Sequence, residues 1–425
     1  MRLYEELVWR GFVNQTTHPE LGQLIDTEQL TLYCGFDPTA DSFHIGQLVP
    51  LMALRHFQRA GHTCIALIGG ATGMIGDPSG KAEERQLLCR QEIDRNVEGQ
   101  RAQLERFLIV AGGPAPLVVN NADWLCSLRL VDFLRDIGKH FSVNVMISRD
   151  SVKRRLEDRE HGISFTEFSY NLLQAYDFLH LHDAYGCRLQ VGGSDQWGNI
   201  VAGMDLIRRL RGTETYGMTF PLLTRSDGAK FGKSEAGNIW LDARYSSPYQ
   251  LYQFFINQAD ADMPRLLRML TELTKDEIEE LDRRTQEEPE HRAAQRRLAA
   301  EVTRLVHGET AVQEAECASR AMFGGDLVGL GASMLAEVFK DVPSTDLPAT
   351  CLSGDRLLAD VLVEAGVFGS KGEVRRMIQS GGLYVNNCRV QECDARLHAG
   401  MLCAGGILVV RVGKKQYHLL RFAQS

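Results

Sequence analysis

Hydrophobic and polar residues alternate along the first 245 residues in a pattern that predicts strands followed by helices. One short apolar run typical of a buried strand ends near Phe36, and a second covers residues 63–69. Each run leads into a polar loop. Segment 116–124 predicts a further strand, which a helix around 127–138 follows, and segment 189–199 repeats the order of strand, loop and helix. The alternation predicts an α/β fold, a doubly wound (Rossmann-like) parallel sheet with helices on both faces.

The pattern changes further along the chain. From about residue 248 to 340 it is wholly helical and acidic, and residues 342–354 have the Pro, Ser and Thr content typical of a linker. Residues 356–387 then predict two short helices, a turn and a strand. We therefore predict a Rossmann-like catalytic domain over 1–245, an α-helical domain over 246–340, a linker over 341–354 and a small α+β domain over 355–425.

Composition narrows the class of protein. The 425 residues are 44% hydrophobic and 24% charged, which is ordinary for a globular chain of two or three domains. No apolar run reaches the ~18 residues of a membrane span, and the N-terminus lacks a signal-type apolar block. The ten cysteines form neither a CxxC pair nor a Cys/His cluster. We expect a cytoplasmic protein with reduced thiols, no membrane contact and no metal site.

Charge is unevenly distributed. Residues 355–425 hold ten Lys/Arg and six Asp/Glu, a net charge of +4, which leaves −12 for the rest of a chain whose total is −8. Ser370 and Glu373 predict a capping box for a helix whose Lys371, Arg375 and Arg376 face outward. Cations at a helix start favour contact with a phosphate backbone, although a small solvated domain would show the same pattern.

The first candidate for chemistry is the loop after the first strand. Residues 37–42 are a turn-rich polar segment, and apolar residues from Leu48 onward recur at helical spacing, so we expect His44 in the first helical turn. Free N–H groups at a helix start favour an anion, and Gly46 lets a ligand ring approach the backbone. An ordinary loop with a capping histidine is the alternative.

A second loop, GGATGMIGDPSGK over 69–81, has neither Walker nor GxGxxG spacing. Asp77, Lys81 and Arg85 place one acid and two cations around it, although a surface turn leading into a helix would also fit. Both loops follow the carboxyl ends of predicted strands, where ligands bind in parallel sheets. This position favours a ligand site.

Three further segments carry polar groups. Tyr170, Gln174 and Asp177 share one helix face among apolar neighbours, which favours a polar pocket over a solvated stripe. Asp195, with Gln196, opens a helix after a strand, where a carboxylate suits a ribose diol. Residues 222–238 contain three glycines and two lysines three apart, which indicates either a mobile polyphosphate-binding loop or a plain surface loop.

Together these segments resemble a known family. PTADSFHIGQ (38–47) and KFGKS (230–234) look like the HIGH and KMSKS motifs of class I aminoacyl-tRNA synthetases. YCGFDPTAD, GGATGMIGDPSGK, ISFTEFSYNLLQAYDF and VGGSDQWGNI stand in the order of the bacterial-type tyrosyl-tRNA synthetases, and the C-terminal segment resembles an S-four type RNA-binding domain. The resemblance spans essentially the whole chain, and it implies that the α-helical domain over 246–340 is of the anticodon-binding type. Gln47 replaces the last His of HIGH, while Lys371, Val374 and Asn387 replace the usual Arg, Ala and Gly.

The resemblance implies a two-step reaction, in which tyrosine and ATP give tyrosyl-adenylate and pyrophosphate before the tyrosyl group passes to the 3′ end of a tRNA. It implies ATP as a substrate with Mg²⁺, and a homodimer whose interface includes residues 133–150. The implied tyrosine-binding residues are Tyr33, Asp77, Tyr170, Gln174, Asp177 and Gln196. The implied catalytic residues around the phosphates are Thr39, His44, Lys81, Arg85, Lys230 and Lys233. The implied ATP-binding residues are Cys34, Gly35, Asp37, His44, Gly46, Gln47, Gly193, Asp195 and Lys233.

Three other interpretations remain. A tryptophanyl or other class I synthetase would share the fold, but the pairing of Tyr33 with Asp177 suits a phenolic hydroxyl. A nucleotidyltransferase that makes a small-molecule adenylate gives no reason for the basic C-terminal segment. A catalytically inactive RNA-binding protein is disfavoured by the lysines of KFGKS and by Thr39 with His44.

Overall fold

A computed structural model describes residues 1–79, 87–148, 152–153, 156, 162–224, 226, 228, 231–234, 237–321, 324–327, 330–413 and 416–422. The described chain divides into two units, one of Met1–Ser247 with Phe254–Val306 and one of Pro248–Gln253 with His307–Ser425. No helix within the described residues is both long enough and apolar enough to cross a membrane.

The strands are β1 (Gln15–Thr16), β2 (Thr31–Phe36), β3 (Thr63–Ile68), β4 (Leu117–Asn120), β5 (Leu189–Gly193), β6 (Tyr216–Phe220), β7 (Lys233–Ser234), β8 (Gly237–Asn238), β9 (Ser344–Leu347), β10 (Ser353–Leu357), β11 (Leu383–Val385), β12 (Cys388–Arg389), β13 (Arg396–His398), β14 (Ile407–Val412) and β15 (Gln416–Phe422).

The helices are α1 (Leu3–Arg10), α2 (Leu21–Thr27), α3 (Leu48–Arg59), α4 (Arg90–Phe107), α5 (Ala122–Leu125), α6 (Leu130–Asp136), α7 (Val143–Ile147), α8 (Phe165–Tyr185), α9 (Trp197–Arg211), α10 (Pro248–Ile256), α11 (Met263–Leu270), α12 (Lys275–Glu287), α13 (Ala293–His307), α14 (Glu309–Ala321), α15 (Ala332–Val338), α16 (Leu358–Glu364) and α17 (Lys371–Gln379).

The first unit is built on a six-stranded sheet of order β1-β6-β5-β2-β3-β4. All of its strand pairs are parallel except β1 with β6. Leu32, Ile65 and Val191 are buried in the three central strands, because helices cover both faces of a parallel sheet. The predicted α/β class with a doubly wound parallel sheet is confirmed.

Helices α8 and α9 pack closely beside this sheet. A Cβ atom on Gly203 of α9 would lie 2.9 Å from a ring carbon of Phe178 on α8, so only glycine fits at this contact. Phe178 in turn packs against Tyr33 of β2, with ring centroids 5.3 Å apart. The polar face of α8 is thereby held beside the carboxyl end of β2.

Segment 116–124 differs from its prediction as a single strand. Only Leu117–Asn120 pairs with β3, and the chain then turns at Asn121 into the short helix α5. The backbone N–H of Asn121 bonds to the carbonyl of Ile68, so the turn is tied to the end of the neighbouring strand. The turn places Asn121 and Trp124 at the carboxyl edge of the sheet.

The second unit contains a five-stranded sheet of order β12-β11-β14-β15-β9, together with the two-stranded pair β10 and β13. Apolar residues of α16 and α17, including Val361 and Val374, are buried in its core with Leu420 of β15. This small α+β arrangement matches the class expected for the C-terminal segment.

The linker expected over 341–354 is wrong in one respect. Ser344–Leu347 forms strand β9, which pairs in parallel with β15 at the edge of this sheet, and Leu347 is buried. The carbonyl of Pro343 accepts a hydrogen bond from the N–H of Leu419. Ser344 and Thr345 here belong to an edge strand, and Pro343 and Pro348 flank it at its ends, where a proline costs no ladder bond. The helices between Pro248 and Val338 are shared between the two units, so the domain boundaries at 246 and 340 stay a prediction.

Candidate active site

Polar side chains converge where β2, β3 and β5 end at one edge of the first unit's sheet. Tyr33 and Cys34 lie on β2 itself, and the loops after the three strands carry Asp37, Asp77 and Asp195. Helix α8 adds the residues that the sequence placed on one face. Hydrogen bonds join these segments, so the structure brings together side chains that lie far apart in the sequence.

The innermost group is the carboxylate of Asp177, which is 1% exposed. Its Oδ1 accepts a hydrogen bond of 2.8 Å from Nε1 of Trp124, and its Oδ2 accepts one of 2.9 Å from Nδ2 of Asn121. Burial raises the pKa of Asp177 to about 7, against the opposing effect of these two donors. A carboxylate that accepts bonds from two fixed donors retains lone pairs for a third.

Tyr33 is fully buried beside this carboxylate. Burial, and then the charge of Asp177, raise the pKa of the Tyr33 phenol well above its usual value, so the hydroxyl keeps its proton. Among the described residues, the Tyr33 hydroxyl has no hydrogen-bond partner. A buried and unsatisfied hydroxyl beside a buried carboxylate is an arrangement that a polar ligand group can complete.

Sequence reasoning missed Asn121 and Trp124. Asn121 accepts a bond from the N–H of Ala71 at 2.8 Å and donates to Oγ1 of Thr72 at 2.9 Å, so it also fixes the glycine-rich loop after β3. The ring of Trp124 stacks on that of His180 at 4.2 Å and 16°. Two consecutive asparagines inside the segment predicted as a strand were the available signal that the strand ends there, and polar residues at that edge of a sheet are placed to bind.

Nearer the surface lies a connected set of acids and amides. Nε2 of Gln196 donates to Oδ2 of Asp77 at 2.6 Å, and Nε2 of Gln174 donates to Oε1 of Gln196 at 3.1 Å. The hydroxyl of Tyr170 donates to Oδ1 of Asp37 at 3.2 Å. Burial, with the charges of Asp37 and Asp77, raises the pKa of Tyr170 well above its ordinary value. The set presents carboxylate, hydroxyl and carbonyl oxygens, which suit a cationic ligand group.

His44 is the N-cap of the 3₁₀ turn Ile45–Gln47 that precedes α3, one residue earlier than predicted. Its Nδ1 accepts a bond of 3.0 Å from the N–H of Gly46, while Oε1 of Gln47 accepts one of 3.0 Å from the N–H of His44. A Cβ on Gly46 would lie 2.6 Å from the imidazole, so glycine is required there for the histidine itself. Because Nδ1 accepts, the neutral ring carries its proton on Nε2.

Other predicted residues surround the same cleft. Cys34 is buried and its pKa is raised to about 12, first by burial and then by the charge of Asp195, so these two side chains are neighbours. A Cβ on Gly193 would lie 2.5 Å from Oδ1 of Asp195. Gly35 and Thr39 are exposed at this edge. Lys81, Arg85 and Lys230 lie outside the described residues, and Lys233 is described only as backbone of β7.

In the second unit the predicted RNA-binding residues Lys371, Arg375 and Arg376 are exposed on α17. Nζ of Lys371 pairs with Asp360 at 2.8 Å. Ser370 caps the helix as predicted, but Glu373 accepts from the N–H of Gly369 rather than from that of Ser370, so the capping box is incomplete. Lys371 begins the helix, whereas Arg375 lies in its middle and Arg376 in its last turn.

Asn387 marks another departure from the family pattern and has a structural explanation. Its φ is 61°, in the left-handed region that asparagine tolerates. Its Nδ2 donates to the carbonyls of Ala321 and Gly325 at 2.9 and 2.8 Å. The asparagine therefore keeps the turn that a glycine would make and adds two hydrogen bonds.

Comparisons with known proteins cover almost the whole chain. The family model described as tRNA synthetases class I (W and Y) matches residues 26–324, and the model described as tyrosine–tRNA ligase SYY-like C-terminal domain matches residues 334–420. The tyrosine–tRNA ligase of Roseiflexus castenholzii is 52% identical over 421 residues, 99% of each chain. That of Geobacillus kaustophilus is 52% identical over 426 residues, 100% of each.

A solved structure agrees with these matches. The C-terminally truncated mitochondrial tyrosyl-tRNA synthetase of Aspergillus nidulans aligns with a TM-score of 0.68 and 31% identity, and the alignment covers 76% of this chain and 94% of that one.

Proposed function

The chain belongs to the tyrosyl branch of the class I tRNA synthetases, and from this premise we propose that the cleft at the carboxyl ends of β2, β3 and β5 holds L-tyrosine and ATP side by side. The activity is that of a tyrosine–tRNA ligase. L-tyrosine and ATP give tyrosyl-adenylate and pyrophosphate, and the tyrosyl group then passes to the 3′ end of the tRNA. The reaction serves translation, so we place it in the cytoplasm.

The observation that carries the assignment is the buried pair of Tyr33 and Asp177. A tyrosine substrate would donate its phenolic proton to the Asp177 carboxylate and accept a bond from the Tyr33 hydroxyl. Both groups are fully enclosed, and the hydroxyl has no partner among the described residues. An amino acid without a hydroxyl would leave the Tyr33 hydroxyl buried without a partner and the Asp177 carboxylate without its third donor, at about 1–3 kcal/mol each.

The amide and acid set would receive the ammonium group of the substrate. Asp77 supplies the negative charge, and Oε1 of Gln174 is a buried acceptor that has no partner among the described residues. Tyr170 and Gln196 would complete the site, since their hydrogen bonds to Asp37 and Asp77 hold these acids in place. An ammonium ion has three donors to offer to such a group of oxygens.

The first chemical step requires no general base, because the attacking carboxylate of tyrosine is already ionised. Catalysis would consist of positioning and of stabilising charge on the α-phosphate. His44 would donate from Nε2, and Thr39 would contribute its hydroxyl. The family resemblance implies that the remaining cations would surround the phosphates, namely Lys81, Arg85, Lys230 and Lys233. Mg²⁺ would enter as the counter-ion of ATP.

The nucleoside would lie over the ends of β2 and β5. Asp195 and Cys34 are neighbours, and their side chains suit the ribose hydroxyls. Asp37 belongs to the same ATP-binding set, and the glycines of that set leave space for the nucleotide. Gln47 would replace the last histidine of the HIGH motif by donating from Nε2, since its Oε1 already accepts the N–H of His44. The glycines of this set are Gly35, Gly46 and Gly193.

The direct test is exchange of labelled pyrophosphate into ATP by the purified chain with tyrosine, tryptophan or phenylalanine. We expect strong exchange with tyrosine and only weak exchange with the other two amino acids at micromolar to millimolar concentration. Exchange that prefers tryptophan would contradict the phenol site. Exchange with tyrosine but without transfer to tRNA would indicate a small-molecule adenylating enzyme instead.

We propose that α17 contacts tRNA through Arg375 and Arg376, which are exposed on its middle and last turn. Changing both to glutamate is expected to weaken tRNA binding at least about tenfold and to reduce its salt dependence by about two ion equivalents, because each arginine neutralises one phosphate. Pyrophosphate exchange should be unchanged. The measurement is tRNA affinity at several salt concentrations. Arg283→Glu with Arg284→Glu on α12 makes the same change of charge elsewhere, and an equal loss there would contradict a local contact.

We propose a homodimer that pairs through α6 and α7. Leu130 and Val131 of α6 are 71% and 74% exposed, and Val143 and Val145 of α7 are also exposed. A concentration of bare aliphatic side chains is atypical of a monomer surface, and a second copy of the chain is the occupant implied by the family resemblance. Val143 and Val145 lie inside the predicted interface segment 133–150, and Leu130 and Val131 lie just before it.

Val131→Glu combined with Leu134→Glu is expected to convert the dimer to monomer at micromolar concentration, because burying two carboxylates without partners costs more than the lost apolar contact. Light scattering on a sizing column measures the mass. Asp132→Asn, a polar change on the same helix, should leave the dimer intact. A wild-type chain that runs as a monomer would refute the interface.

A further inference from the structure

Two buried asparagines connect helices α8 and α9 behind the proposed ammonium site. Asn171 and Asn199 are 8% and 7% exposed, and Nδ2 of Asn171 donates to Oδ1 of Asn199 at 2.7 Å. Nδ2 of Asn199 donates onward to Oγ of Ser79 at 3.2 Å and to Oε1 of Gln196 at 3.3 Å.

The direction of each hydrogen bond in this network follows from the carboxylate of Asp77. The ionised Asp77 can only accept, so Gln196 must present its NH₂ group to it, and its Oε1 must face the other way. Gln174 and Asn199 both point at that Oε1 and must therefore present their own NH₂ groups. The Oδ1 of Asn199 then faces Asn171, which presents its NH₂ group in turn.

This order determines what the site offers to the substrate. With its NH₂ group bound to Gln196, Gln174 is left with a buried Oε1 that has no partner among the described residues. A carbonyl oxygen accepts from an ammonium group, whereas a reversed amide would point two hydrogens at it. The orientation of Gln174 is therefore a condition for binding a cation.

We propose that Asn199 and Asn171 are positioning residues for tyrosine, which lock the amides of Gln196 and Gln174 in the orientation that accepts the substrate ammonium. The proposal rests on the tyrosine site described above. Reversing the Gln196 amide would point its NH₂ group at the NH₂ groups of Gln174 and Asn199 and would remove the donor to Asp77. Two fixed donors at one oxygen hold the orientation more firmly than one.

Removing a donor should loosen the network in steps. Asn199→Ala leaves Gln196 Oε1 with one donor in place of two and is expected to weaken tyrosine binding about 5- to 20-fold. Asn171→Ala removes only the group that orients Asn199, so we expect a loss of about two- to fivefold. The second variant also keeps the proposal testable if the first does not fold.

The experiment compares L-tyrosine with 3-(4-hydroxyphenyl)propionate, which is tyrosine without its amino group. Calorimetry on the full chain measures the dissociation constants of both ligands. For the analogue, its inhibition constant in pyrophosphate exchange can be measured instead. We expect both variants to lose affinity for tyrosine while affinity for the analogue stays within about twofold. Equal weakening of the two ligands, or no weakening of tyrosine, would overturn the positioning role.

A matched control separates this effect from general loss of packing. Gln58 is a fully buried amide on α3 whose Nε2 donates to the carbonyl of Pro114 at 3.2 Å. Gln58→Ala should lower the melting temperature without changing the ratio of the two affinities. If the wild type does not prefer tyrosine to the analogue, the ammonium site is wrong. If the wild type does prefer it and both asparagine variants keep the full preference, only the positioning role is wrong.

Discussion

Asp177→Asn is expected to lower kcat/KM for tyrosine in pyrophosphate exchange by about 10²- to 10³-fold. The reason is the number of donors that meet at this residue. Trp124 and Asn121 already donate to its two oxygens, and the substrate phenol would be the third donor. An asparagine replaces one oxygen with an NH₂ group, so one donor faces another donor. The lost charge-assisted bond and the donor left unpaired cost roughly 3–4 kcal/mol together.

Phenylalanine provides the comparison that makes this prediction specific. It has no hydroxyl to lose, so its weak exchange should change little, and the preference for tyrosine over phenylalanine should shrink by nearly the same factor. Asp183→Asn is the control on the same helix, because that carboxylate is 37% exposed and pairs with Arg211. An unchanged preference in Asp177→Asn would mean that the phenol binds elsewhere.

Much of this site follows from local sequence patterns. The predicted strands over 63–69 and near Phe36 are present, because short apolar runs between polar loops leave few other structures. Helical spacing correctly places Tyr170, Gln174 and Asp177 toward the same cleft. Loops at the carboxyl ends of parallel strands converge by geometry alone, so their polar residues could be grouped before any coordinates.

The missed features depend on contacts between distant segments. Asn121 and Trp124 lie in what looked like one strand, and only the turn after β4 brings them within hydrogen-bond distance of α8. The orientation of an amide such as Gln196 is set by Asp77, more than a hundred residues away in the chain. Likewise β9 looks like a linker in sequence, because an edge strand needs little apolar content.

His44→Ala is expected to slow adenylate formation about 100-fold while tyrosine affinity changes less than about threefold. The cap bond from Gly46 to Nδ1 leaves the ring proton on Nε2, which is the atom that would donate to the α-phosphate. A fixed donor of this kind acts mainly as charge develops in the transition state, so its loss lowers kcat rather than substrate binding. Single-turnover formation of the adenylate at saturating tyrosine and ATP measures the rate.

His44 also stabilises the turn before α3, and the two roles can be separated. Serine is a good N-cap but has no group that reaches beyond the turn, so His44→Ser should keep the melting temperature near that of the wild type. We nevertheless expect it to form adenylate as slowly as His44→Ala. Asparagine can accept from Gly46 and still present an NH₂ group, so His44→Asn should recover part of the rate. If His44→Ser is as fast as the wild type, the imidazole acts only as a cap, and the phosphate must be stabilised by Thr39 and the lysines without it.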